Sequence, residues 1–200
     1  MALGGTIALM SWWGCSTWTA LHGGYGLTTN SERSVFGLEA RRALGAGLHS
    51  PHALIGARVD GNTDQLDAEA HVGAMRPLQL SQKLTLVPSA TLELGRVSNI
   101  DGQWYGGAAG PGIAGELLWW LRSTEYRVVT PNPFGCFGGV PAVDCASSCR
   151  SQLLSRAGIG LRVAAEYDVR FGRHHPRMND WVVWFTLGVT RAQSVDTSCP

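Results

Sequence analysis

The chain has 200 residues, 16% of them charged, with 26 glycines and a formal net charge of +1. Average soluble domains carry roughly 25% charged residues and use lysine freely, whereas Lys83 is the single lysine among 16 basic residues here. The composition argues against an ordinary water-covered exterior, and the absence of a basic cluster removes the electrostatic case for nucleic acid.

Residues 1–14, MALGGTIALMSWWG, are apolar and uncharged and lead into Cys15. They read as a signal segment of lipoprotein type with Cys15 as the lipidation candidate, although a positive n-region is missing. Residues 15–200 are expected to form one domain, a length that all-β barrels commonly use.

Period-two alternation, the mark of strands with two unlike faces, then recurs along the chain. A weak run covers Thr17 to Leu27, and a second covers Val35 to Leu44. Ala53, Ile55, Ala57 and Val59 alternate with Arg58 and Asp60, and Asp60-Gly-Asn-Thr-Asp64 is a hairpin connection to the next strand. There Leu66, Ala68, Ala70, Val72 and Ala74 oppose Asp67, Glu69, His71, Gly73 and Met75. Leu84, Leu86, Pro88, Ala90, Leu92 and Leu94 oppose Thr85, Val87, Ser89, Thr91 and Glu93. Proline donates no ladder hydrogen bond, so a bulge or bend is expected at Pro88. Trp104 to Val129 reads either as one very long strand or as a hairpin broken near Arg122-Ser-Thr124.

Residues 131–150 form an irregular loop containing Cys136, Cys145 and Cys149. With Cys199 these make four loop cysteines, which read as disulfides of an oxidising compartment in one of three pairings. The spacing Cys145-Ala-Ser-Ser-Cys149 is a weaker metal reading, with no second close pair to complete it.

The clearest strand follows. Ala157, Ile159, Leu161, Val163, Ala165, Tyr167, Val169 and Phe171 share one face, and Arg156, Arg162, Glu166, Asp168 and Arg170 share the other. Val183, Phe185, Leu187 and Val189 close the series. The expected fold is therefore all-β: a closed antiparallel up-and-down barrel of about eight strands.

Three features turn the apolar face outward, toward lipid. The polar face mixes small residues with charges of both signs, as a narrow lumen requires; lysine is scarce; and aromatics gather near strand ends, as in membrane girdles. Arg42 and Arg76 fall in line with the apolar sets, but near strand ends, where long side chains snorkel.

On this pattern, Val35 to Arg191 resembles the small bacterial outer-membrane β-barrel proteins, including uncharacterised ones with a lipoprotein-like signal. The resemblance implies an outer-membrane location and the lipid bilayer as partner. Such barrels usually end on an aromatic residue, whereas this chain continues past Thr190 to Ser198-Cys-Pro200. A lipid-anchored periplasmic barrel holding an apolar ligand, with the faces reversed, therefore stands as the alternative.

The expected interior network comprises Glu69, His71, Glu93, Glu116, Arg162, Glu166, Asp168 and Arg170. His174-His175 reads as a solvated turn, because two adjacent histidines need further ligands to hold a metal. His49-Ser50-Pro51-His52 has no carboxylate nearby, no GxSxG elbow occurs, and Gly102-Gln-Trp104-Tyr105 is an isolated aromatic pair. No cofactor or catalytic residue is assigned. The sequence thus points to a non-catalytic barrel with a structural or surface-interaction role, whose cysteine loop is the contact element. A lipid-modifying enzyme is the more remote alternative.

Overall fold

The computed structural model describes residues 15–28, 34–61, 65–99, 104–131, 148–171 and 179–198. The strands are β1 (Cys15–Thr28), β2 (Ser34–Gly45), β3 (His52–Gly61), β4 (Gln65–Met75), the two-residue β5 (Leu78–Gln79), β6 (Leu84–Asn99), β7 (Trp104–Pro131), β8 (Ser148–Phe171) and β9 (Asn179–Ser198). All pair antiparallel, each long strand with its sequence neighbour. The β1–β9 and β4–β6 pairings join the eight long strands into a closed ring.

Register fixes the shape of the ring. Pairings lead from Trp18 through Ala43, Leu54, Gly73, Thr91, Gly112, Glu166 and Val182 back to β1 at Thr28, ten residues from the start. Eight strands with a shear of ten tilt by about 40° to the axis and enclose a bore that side chains fill.

The faces follow the alternation. Leu161 is 55% exposed while its neighbour Arg162 is 2% exposed. Ile159, Leu161, Val163 and Val169 on β8 all point outward, as do Leu21 and Leu27 on β1 and Leu92 and Leu94 on β6. The ten residue steps from Ile159 to Val169 cover about 25 Å along the tilted axis, the height of a transmembrane barrel's apolar band. Along these strands the continuous apolar face points out and the charged face points in, which overturns the alternative of an apolar-lined ligand cup. Tyr25, Phe36 and Trp181 are exposed toward one rim, and the Tyr167 and Trp181 rings lie 5.0 Å apart there.

One expectation is revised and one open alternative is decided. The ladder runs through Pro88 without a bulge, because Pro88 lies one residue past the last β4–β6 pair, Met75 with Ser89. Its carbonyl accepts from the Arg76 amide (3.1 Å), so its nitrogen also faces the end of β4 and the missing N–H leaves the β6–β7 ladder intact. Trp104 to Val129 belongs to one 28-residue strand with a register shift between Trp120 and Arg122. Past that shift β7 has left β6, whose pairing with β7 starts at Leu84 and Trp119. β7, β8 and β9 continue together as a three-stranded extension beyond the rim, pairing as far as Pro131 with Ser148 and Arg150 with Ser198.

Candidate functional site

The bore is built in layers. At the end carrying the chain's first and last strand residues, Trp18, Ala43, Leu48, Leu54, Met75, Val87, Leu118, Trp120 and Ala192 form an apolar plug. The Trp18 and Trp120 rings are 5.5 Å apart, and Trp120 Nε1 donates to Thr85 Oγ1 (2.8 Å), so the buried indole N–H is satisfied. The void left beside Trp18 is about 10 Å³, room for about one water at most. The plug therefore seals the bore at this level.

Beneath it lies a first charged group. Arg41 Nη2 donates to Glu116 Oε2 (2.5 Å) and to His22 Nδ1 (3.3 Å), while Glu116 Oε1 accepts from Thr190 Oγ1 and from His22 Nε2, both at 3.1 Å. Glu39 joins it to the next layer through Arg162 Nη1 (3.0 Å), His71 Nε2 (3.3 Å) and Arg41 Nε (3.6 Å). Gly160 and Gly188 make this packing possible, since a Cβ on either would collide with Glu116 or His22.

The second group centres on Arg58. Its guanidinium pairs with Glu69, Glu166 (2.6 Å), Asp60 (3.0 Å) and Glu93 (3.4 Å), and lies 4.3 Å from the centre of the Trp184 ring. Oxygens of Glu69, Glu93 and Glu166 lie within 4.8 Å of one another, but the shared guanidinium fills the place a metal ion would take. Isolated buried charges cost several kcal/mol each, so such a set persists only when paired.

Of the residues expected inside, Glu69, His71, Glu93, Glu116, Arg162 and Glu166 have their side chains in these groups. Asp168 and Arg170 lie in β8, and their side chains are outside the described residues. The inventory from sequence lacked His22, Glu39 and Arg41, and it did not give Arg58 its central place. Strict parity along β2 and β3 would have found the last three. His22 sits in a run interrupted by Gly23, Gly24 and Gly26, where hydrophobic alternation is lost.

The His49–His52 turn behaves differently from its sequence reading. Ser16 Oγ donates to the Gly47 carbonyl (2.9 Å) and contacts His52 Nε2, while His52 Nδ1 donates to the Ser50 carbonyl (2.7 Å). Ser16 and His52 are 0% and 2% exposed, so no substrate reaches the hydroxyl, and the pair ties the β2–β3 turn to the start of β1. Above this turn, a cavity of about 500 Å³ separates residues 46–49 from the inner face of the extension, lined there by Glu125, Leu154, Arg156 and Ser194. Burial and then the Arg156 charge hold the His49 imidazole below its ordinary range. Residues 1–14, Cys136, Cys145, Cys199 and His174-His175 lie outside the described residues, as do the side chains of Cys15 and Cys149.

No protein-family model and no curated protein matches the chain. Among solved structures it is similar to neisserial surface protein A, with a TM-score of 0.54 and 14% identity over 87% of this chain and 95% of that one. Ail, the attachment invasion locus protein of Yersinia pestis, is 10% identical over 90% of this chain and 99% of its own, with a TM-score of 0.45. The likeness to neisserial surface protein A carries the fold: that of a small outer-membrane β-barrel.

Proposed function

We propose that this chain is a sealed, non-catalytic outer-membrane barrel that serves as an anchor and presents its β7–β8 hairpin to a partner at the membrane surface. One observation carries the reading: β7, β8 and β9 run on together past a plugged bore. An extension of paired strands holds its tip at a fixed distance from the bilayer, as loops on rigid scaffolds do in binding. The outward apolar band, the charges turned inward and the fold likeness support the location. The plug and the paired lumen charges support an anchor over a pore, and the closed Ser16–His52 pair offers no nucleophile to lipid.

The test is reconstitution combined with site-directed photo-crosslinking. Vesicles containing the protein should retain small sugars and keep their phospholipids intact. In cells, a photoreactive group at Tyr126 should give protein adducts, whereas one at Leu161 should give only lipid adducts. Sugar permeation, fatty-acid release, or an absence of protein adducts at Tyr126 would refute the proposal.

A further inference from the structure

Among the described residues, the exposed charges on the outer wall are all basic and all lie toward the plugged end. They are Arg42, Arg76, Lys83, Arg122 and Arg191, and none forms an ion pair with a described residue. The exposed carboxylate Glu125 belongs to the inner face of the extension, where it lines the cavity and accepts from Arg127. Three of the cations form a regular set. Thr19 of β1 is paired with Arg42 on one side and Arg191 on the other. Arg76 directly follows Met75, which pairs with His52, two strands along from Arg42. Consecutive arginines are therefore two strands, or about 10 Å, apart around half the wall. With the strand tilt their Cα atoms fall within about 6 Å of one height, at the upper limit of the apolar band. Small Thr19 and Ala53 lie between them and are exposed.

We propose that Arg42, Arg76 and Arg191 form a collar that binds the phosphates of anionic glycerophospholipids in the leaflet at the plugged end. Snorkelling alone would let arginines reach water, and it does not demand even spacing at one height. Guanidinium groups match phosphate geometry with paired hydrogen bonds. At 10 Å separation each arginine meets its own headgroup, which suits lipids with a single phosphate. This inference rests on the membrane-barrel reading, and the experiment separates the two.

Protein refolded in detergent is first checked for the heat-modifiable gel mobility of a folded barrel and for insertion into vesicles. It is then examined by native mass spectrometry with equal amounts of phosphatidylglycerol and phosphatidylcholine. Each arginine near an anionic headgroup contributes about fivefold in retention. The wild type should therefore hold phosphatidylglycerol at least tenfold over phosphatidylcholine, and 0.5 M salt should erode that preference. The triple variant Arg42→Gln, Arg76→Gln, Arg191→Gln should fold and lose the preference. If the triple variant does not refold, the single variants Arg42→Gln and Arg191→Gln should each lower it about fivefold. A folded wild type with no preference, a variant that keeps it, or stronger retention of lipopolysaccharide than of phosphatidylglycerol overturns the collar. A chain that never inserts refutes the barrel reading itself.

Discussion

Replacing Arg58 with methionine keeps much of the side-chain length but removes the cation that Asp60, Glu69, Glu93 and Glu166 share. Removing one partner of a buried ion pair costs about 3 to 5 kcal/mol, because the other charge is left without compensation. The guanidinium also lies 4.3 Å from the Trp184 ring centre, a contact worth about 2 kcal/mol when desolvated. The expected loss is therefore about 5 to 7 kcal/mol. Adding Glu166→Gln removes one of the repelling carboxylates and should recover about 1 to 2 kcal/mol, since neighbours in one network couple on that scale. Urea unfolding in phosphocholine micelles, followed by tryptophan fluorescence and by gel mobility, measures both. A loss under about 1 kcal/mol, or a double variant weaker than Arg58→Met alone, would refute the account of the lumen.

Three further outcomes are expected. Ile113→Arg, paired with Ala165 at the middle of the apolar band, should cost about 2 to 4 kcal/mol in vesicles, while Leu121→Arg beyond the band should cost under about 1 kcal/mol; equal costs would contradict the assigned membrane position. Gly73→Ala places a Cβ against the Ala90 carbonyl and 2.8 Å from Thr91 Cα, so β4 and β6 must part at a cost of about 3 kcal/mol. Gly115→Ala meets nothing within 4 Å, so it should stay within about 0.5 kcal/mol, and a reversed order in unfolding titrations would contradict the packing. His49 resists protonation in the fold, through burial first and Arg156 second. The unfolded chain therefore binds the proton more readily, and the turn's stability should be full above about pH 6.5 and decline below it. By NMR its midpoint should lie below 6.5 and rise partway in Arg156→Gln; no change on substitution would contradict the assigned contact.

Strands and faces were legible because a side-chain period of two is read without knowing any partner. In Glu39-Ala-Arg-Arg42, for example, alternation alone separates a buried Arg41 from an exposed Arg42. Pairing was not legible. Which carboxylate meets Arg58 depends on the register of strands far apart in the chain, and no local pattern encodes the shear of ten that aligns them. The extension was obscured for a different reason. The shift between Trp120 and Arg122 resets the alternation inside β7, so that one continuous strand can equally be read as a broken hairpin. Pro88 misled because a proline signals a break only where its N–H would have been used.

The sequence distances within the lumen also order events during assembly. Arg58 reaches Glu166 across 108 positions, Arg41 reaches Glu116 across 75, and Arg162 reaches Glu39 across 123. Some pairs are local, Arg58 with Asp60 and Glu69 and Arg41 with Glu39, but they leave other charges of the same hairpins to these distant partners. A hairpin entering the bilayer alone would bring those unmatched charges into hydrocarbon, which favours crossing the membrane together with closing β1 onto β9. Contacts of such long range make that step slow, and the chain must be kept from aggregating at the membrane until its last strand arrives.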